Sequence, residues 1–395
     1  MGALSLVVAV GVILGVGITP ASADDPVFPT WAQVQAAKAS AAATAAEVKN
    51  IAGIIATLQA QAAATGKVAL QAGEVYLEAK DALTTATATA EKLSAQAKLA
   101  STRAKASSRE AGQLASQLAR VGHGNLTIEL LLNQHNASTL LEMLGTMSKL
   151  GQTSAQIFAV AERDRKTATA LSDQATLAET VRTTKASQAQ AALDAANVAS
   201  AAATAKVNSQ TAQMSILTAQ LASLNGTSAS TEAAYYAGVA WEAKQAAKKD
   251  PPPDATPPGP IPGVPNGSAV AVAIAFAQSQ LGKPYVFDGA GPGSWDCSGL
   301  TLKSYAAAGV YIGTHSSTNQ YNTLKSENRL VPLSERLPGD LLWYSDGGST
   351  TATKYHVTIY IGNGQMIEAP YPGVNVRVAA VRFGDLVPFA GRPTG

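Results

Sequence analysis

The chain has 395 residues and one cysteine, with 29 basic side chains set against 27 acidic ones and a formal net charge of +2. A balance so near neutral excludes a strong electrostatic pull on nucleic acid or an anionic membrane. A lone cysteine excludes an intrachain disulfide framework, and the length leaves room for two or three domains.

Residues 1–23 carry no Lys, Arg, Asp or Glu; Leu4 to Ile18 is almost wholly apolar, and Ala21-Ser22-Ala23 follows. This reads as a secretory signal peptide cleaved after Ala23, although no basic residue precedes the apolar run. An uncleaved anchor is the alternative, but a membrane span takes about 20 apolar residues and this run is shorter. In an exported chain an unpaired thiol is an oxidation risk. Cys297 therefore reads as a residue kept for reactivity, with a buried inert thiol as the bland alternative.

Residues 31–249 contain none of the 19 prolines and are dominated by Ala, Gln, Lys, Glu and Leu, which favour helix. Their apolar residues are small, which suits long helices packed closely in a coiled coil better than a globular core. Breaks are expected at Thr65-Gly66-Lys67, at Gly122-His123-Gly124 and before Gly151, with a helix end at Asn225-Gly226. Residues 125–150 form an apolar knot rich in Leu and Met, and Thr139-Leu140-Leu141-Glu142 fits a capping box that would start a short helix. The knot is either a plug closing the turn between long helices or a docking surface. His123 and His135 in this region read as exposed polar residues.

Residues 250–267 hold eight prolines and read as an extended polyproline linker. Residues 268–395 have globular composition, enough for one domain with one core. Helices are expected over 269–281 and 297–308, the second stopped by Gly309. Strands are expected over 340–344, 356–361, 365–369, 375–379 and 386–390. Helices followed by an antiparallel sheet make an α+β fold.

The chemistry sits in this last region. Cys297 follows a glycine-rich turn and opens a helix, where unpaired N–H groups favour a thiolate and can hold an oxyanion. Such a thiolate needs a base, and the base needs an orienter. His356 opens a strand in which Val357, Ile359 and Ile361 alternate onto the buried face, leaving His356, Thr358 and Tyr360 on the other. Glu368 lies on the next strand. A two-residue loop at Asn363-Gly364 would set Glu368 opposite Ile359, on the wrong face. A three-residue loop, Gly362 to Gly364, sets it opposite Thr358 and in reach of His356. The chemistry thus calls for the longer loop, with Gly364 at positive φ.

Leu281-Gly282-Lys283-Pro284-Tyr285, Asp296-Cys297-Ser298-Gly299-Leu300, His315-Ser316-Ser317, Pro338-Gly339-Asp340-Leu341 and His356-Val357-Thr358-Ile359-Tyr360-Ile361-Gly362 resemble, in order, the motifs of the NlpC-type peptidoglycan peptidases. The resemblance implies a papain-like fold, Cys297 as nucleophile, His356 as general base and Glu368 as its orienter. It implies that Tyr285 lines the cleft and helps polarise the carbonyl, that Asp296 and Ser298 contact the stem peptide, and that His315 lines the groove, with a helix-capping or packing role for His315 as the alternative. The reaction implied is hydrolysis of the bond between D-γ-glutamate and the diamino acid of the stem peptide. One departure is Asp288, where the family often carries glycine.

The whole arrangement of leader, helices, proline linker and hydrolase resembles division-associated murein hydrolases of Gram-positive bacteria. That resemblance implies a secreted or wall-associated protein whose coiled coil restrains or positions the enzyme and meets an FtsEX-type complex. The expected architecture is an all-α coiled-coil N-terminal region joined to an α+β papain-like domain. No metal-ligand spacing, phosphate loop or nucleic-acid signature is present, so no cofactor is expected. The alternatives are a wall amidase on the same fold and an inactive scaffold that binds stem peptides.

Overall fold

The computed structural model describes residues 29–121, 137–226, 229–230, 232–237, 257 and 262–395. The expected leader, His123 and His135, residues 125–136 of the apolar knot and most of the linker lie outside these residues. The chain divides into two compact units, Met1–Ala60 with Ala212–Ala237, and Gln61–Thr211 with Gly238–Gly395.

The N-terminal part is built of long helices. A short helix α1 (Trp31–Ala37) is started by a capping box between Thr30 and Gln33. Then come α2 (Ala41–Val121, 81 residues) and α3 (Ala137–Asn225, 89 residues). In the first unit Ile51, Ile55 and Leu58 of α2 pack on Leu217 and Leu221 of α3. In the second unit Ala69 of α2 meets Ala199 and Ala203 of α3, and Arg103 lies 3.2 Å from Asp164. Rising numbers on one helix meet falling numbers on the other, so the two run antiparallel, and alanines let their backbones approach. Among the described residues no helix is long and apolar enough to cross a membrane.

Several expected helix breaks are absent. Gly66 and Gly151 lie inside α2 and α3, and Thr139 to Glu142 lie within α3 rather than at the start of a short helix. An interior glycine costs about 1 kcal/mol, too little to interrupt a long helix with packed neighbours. Gly66 has another use: a Cβ there would stand 2.5 Å from the ring of Tyr371. Glycine lets α2 lie against the C-terminal domain. Gly226, at φ 68°, does end α3 as expected.

The C-terminal domain joins α4 (Gly267–Gln278), α5 (Cys297–Ala307) and α6 (Ser317–Ser326) to six strands: β1 (Leu330–Pro332), β2 (Leu341–Tyr344), β3 (His356–Gly362), β4 (Gln365–Glu368), β5 (Arg377–Ala380) and β6 (Leu386–Gly391). All pairs are antiparallel, in the order β1-β6-β2-β3-β4-β5. Helix α6 and strand β1 were not expected from the sequence; α6 is polar, and β1 has only three residues. Helix α5 packs on β3. Leu300 and Tyr305 of α5 join Leu342, Trp343, Val357 and Ile359 of the sheet in the core. The expected one-sided burial of β3 is not found: His356 to Tyr360 are all buried, because both faces of the strand are covered.

A buried ion pair ties the end of β6 to the start of β2. Arg392 meets both oxygens of Asp340 at 3.1 and 3.0 Å and donates to the Glu335 carbonyl at 2.7 Å. Both side chains are almost fully buried. Removing one partner strands a charge, so Arg392→Ala is expected to cost about 3 kcal/mol or more in denaturant unfolding of the domain. A loss below ~1 kcal/mol would show that the pair is dispensable.

Candidate active site

The site begins with a cap. Asp296 takes extended backbone angles, and its carboxylate accepts the Gly299 N–H at 2.7 Å, so helix α5 starts at Cys297. Gly299 is required by close approach: a Cβ there would lie 2.2 Å from the Gly289 carbonyl and 2.8 Å from His315 Nε2. The thiol thus sits at the positive end of a helix, beside the sheet. The Val357 N–H is in hydrogen-bonding reach of Sγ, and the Ser317 hydroxyl lies 3.6 Å from it.

Val357 follows His356, whose imidazole Nε2 is 2.9 Å from Glu368 Oε2. The other nitrogen, Nδ1, is buried and has no partner among the described residues. The hairpin that sets this contact differs in form from the one expected. The loop has two residues, Asn363 and Gly364, both at positive φ (51° and 70°). The pairs Ile359↔Ile367 and Tyr360↔Met366 are followed by Gly362↔Gln365, so Ile361 is a bulge. The extra residue assigned to the turn sits in the strand instead. The register still carries Glu368 to the side of His356.

Glu368 is fully buried and accepts from more than the histidine. Arg377 Nη2 reaches Oε1 at 3.0 Å, and Arg382 reaches both oxygens at 2.9 and 2.8 Å. Burial alone would raise this carboxyl, but Arg382, His356 and Arg377 hold it well below the usual range. Burial lowers the His356 imidazole, against the pull of Glu368, so it is neutral near pH 7. Neither arginine was singled out in the sequence; Arg377 lies on β5 directly opposite Glu368, a pairing visible only with the register.

The other expected site residues divide. Tyr285 is buried close enough to Cys297 and Asp296 to feel both charges, and burial raises its phenol well above the usual value. Ser298 is fully buried and donates to Asp296 Oδ1 at 3.2 Å. Asp296 also holds His315, whose Nε2 lies 2.7 and 2.9 Å from its two oxygens. Burial opposes the charging of His315, but Asp296 and Asp288 outweigh it and raise its pKa. Asp288 sits at φ 57°, which explains why glycine is favoured at this place. Donor atoms of Asp288, Asp296 and His315 come within 4.8 Å of one another, a grouping hidden by sequence spacing.

A helix lies over this site. Glu74 of α2 is 3% exposed. Its Oε1 accepts from Ser316 Oγ at 2.6 Å and the Thr318 N–H at 2.8 Å, and its Oε2 from the Ser317 N–H at 3.1 Å. These groups form the N-terminus of α6, beside Cys297. Lys80 holds Asp288 at 2.9 and 2.8 Å, Lys67 holds Asp385 at 2.8 Å and Asp346 at 2.7 Å, and Tyr76 packs edge-on against Phe287 at 5.4 Å. Leu70 joins the core of the domain. Cys297 is 5% exposed, and burial, Asp296 and Glu74 together push its thiol far up despite the Ser317 contact. Nothing in residues 61–81 marked this role in the sequence.

The NlpC/P60 family model matches residues 282–391. Peptidoglycan endopeptidase RipA of Mycobacterium tuberculosis is 40% identical over 147 residues, 34% of this chain and 29% of RipA. Peptidoglycan endopeptidase RipB of the same species is 39% identical over 137 residues, 31% of this chain and 53% of RipB. Among solved structures, the P60 domain of an antigen from M. avium subspecies paratuberculosis is 36% identical over 32% of this chain and 96% of that domain, with a TM-score of 0.27. The chain thus spans under a third of RipA and about half of RipB. Residues 282–391, the stretch that carries Cys297, His356 and Glu368, are an NlpC/P60 domain with the papain-like fold of that family.

Proposed function

We propose that this protein is a secreted or wall-associated cysteine peptidase that cleaves peptidoglycan stem peptides at the D-γ-glutamyl–diamino acid bond. The observation that carries this reading is a thiol at a helix N-terminus in reach of the Val357 N–H, next in the chain to a histidine whose imidazole is held by a buried carboxylate. His356 Nδ1 takes the thiol proton, and Sγ attacks the carbonyl carbon. The first-turn N–H groups of α5 face the oxyanion that forms. The C–N bond then breaks, and the imidazolium returns its proton to the leaving amine. Water, deprotonated by His356, attacks the thioester and frees the acid and Sγ. Glu368 keeps the imidazole in one orientation throughout, and the two arginines keep Glu368 ionised.

The helices act as a restraint in this proposal. With Glu74 seated on α6, a substrate carbonyl has no way to Sγ, and the thiol is held protonated by a dry, acidic setting. The FtsEX-type complex implied by the stalk resemblance would act by drawing α2 away. The contact is partly ionic, and its pairs at Lys67 and Lys80 are half-buried and still reached by solvent, so each contributes modestly.

Incubation of the full chain with peptidoglycan, read by mass spectrometry of new amino termini, tests the reaction. Cys297→Ala is expected to abolish cleavage, His356→Ala to lower kcat/KM by about 10³-fold, and Glu368→Gln by about 10²-fold with the fold intact. Cleavage unchanged by Cys297→Ala would defeat the proposal, and products cut at the lactyl amide would turn it to the amidase reading. Glu74→Ala is expected to raise the rate of Cys297 alkylation about tenfold or more, and equal rates would remove the restraint.

The latch has a pH sign. Burial raises the docked Glu74 carboxyl to about 7, against its hydrogen bonds from Ser316, Thr318 and Ser317. A docked pKa above the free value means that docking takes up a proton. The contribution is therefore complete below about pH 4.5 and is lost as pH rises through about 7. Cys297, Tyr285 and Lys354 also lie close enough to feel this carboxyl. Glu74→Gln keeps all three and removes only the titrating group. Between pH 5 and 8, alkylation of the parent should climb more steeply than that of Glu74→Gln; parallel profiles would contradict the assignment.

A further inference from the structure

Lys354 is a lysine in the wrong place for a structural role. It lies two residues before His356, and its side chain is only 1% exposed. Its ammonium donates to the Ala352 carbonyl and stands 4.5 Å over the ring of Tyr321 on α6. One carbonyl and one ring leave a three-donor cation short of partners, and burial lowers its pKa to about 8. Among the described residues no carboxylate bonds to it, yet Glu74 and Glu78, one turn apart on α2, are both close enough to act on its charge. Its own N–H donates to Thr318 Oγ1 at 3.0 Å, and the Thr318 N–H in turn holds Glu74. The lysine and the seat of Glu74 are therefore one continuous piece of the cleft wall, beside Sγ.

Two independent features thus point to the same ligand chemistry. A carboxylate from another segment already sits on the Ser316–Thr318 seat. A buried cation, close enough to feel the charge of Glu74, is bonded by no acid of the domain itself. If α2 leaves, Glu74 and Glu78 go with it, and the lysine faces an empty anion seat.

We infer that Lys354 is a specificity-determining residue: with α2 withdrawn, it draws a carboxylate of the stem peptide into the seat that Glu74 fills in the closed chain. Glu74 is then an internal competitor as well as a cover. This rests on the hydrolase reading and deepens it, by requiring a free carboxylate near the scissile bond. That carboxylate has two sources, the α-carboxyl of the D-glutamyl residue and the extra carboxyl of a diamino dicarboxylic acid.

The test uses the full chain carrying Lys67→Ala and Lys80→Ala, which loosen α2 without touching the seat. One arm compares alkylation of Cys297 by iodoacetate and by iodoacetamide, which differ in a carboxylate. The ratio of rates should fall about tenfold or more on Lys354→Met and be kept by Lys354→Arg. Met matches the volume of the buried stem, so the fold should survive, and the iodoacetamide rate monitors it. The other arm measures KM for synthetic stem peptides: with both carboxylates free, with the D-glutamyl α-carboxyl amidated, and with lysine in place of diaminopimelate. One of the last two should show a raised KM at unchanged kcat, which names the source, and Lys354→Met should erase that difference. Alkylation ratios and KM values that ignore Lys354→Met overturn the inference while leaving the hydrolase reading standing. Failure of the loosened parent to cleave any peptide overturns both.

Discussion

The site is organised around one buried carboxylate. Glu368 has no exposed surface, and it is bonded to His356, Arg377 and Arg382 at once. Burying a charge this completely is costly unless every lone pair is matched. The two arginines come from β5 and the segment after it, so this edge of the sheet supports the buried carboxylate. With Glu368 ionised, the imidazole can turn only one nitrogen toward it. The second nitrogen is buried and has no partner among the described residues.

In the proposed mechanism the same electrostatics let α2 hold the centre shut. A thiolate at a helix N-terminus is stabilised while water and a neighbouring imidazole are accessible. Place an acidic side chain on the next helix N-terminus and exclude solvent, and the balance reverses. Glu74 does both, and it uses the N–H groups of α6 to do so. The docked face of α2 combines one inserted leucine, two glycines that admit the rings of Tyr371 and Phe287, and a few half-buried ion pairs. Such a surface is specific in register and modest in strength, as a reversible cover needs to be.

Much of the C-terminal domain was legible from local signals. Cys297 as the first helical residue, His356 at a strand start and Gly309 after a helix all follow from short-range chemistry. The hairpin shows the limit. Chemistry correctly required Glu368 on the side of His356, but turn length and bulge are interchangeable ways to gain one residue, and the sequence Ile361-Gly362-Asn363-Gly364 does not choose between them. Glycine misled in the helices for a related reason: Gly66 is spent on a contact with Tyr371, some 300 residues away, and not on a local stop. Glu74, Lys80 and Lys354 were invisible because each is defined by a partner distant in sequence. The departure at Asp288 was visible, but its meaning came only with φ 57° and with Lys80 in place.

The most direct measurement of the central claim is the mass of the enzyme caught in the act. A chain carrying Glu74→Ala is mixed with stem peptide, quenched in acid within seconds and weighed intact, then mapped. A thioester on Cys297 with the mass of the half ending in the D-glutamyl residue is the predicted result. Product formed with no adduct on Cys297, or an adduct on any other residue, would contradict it.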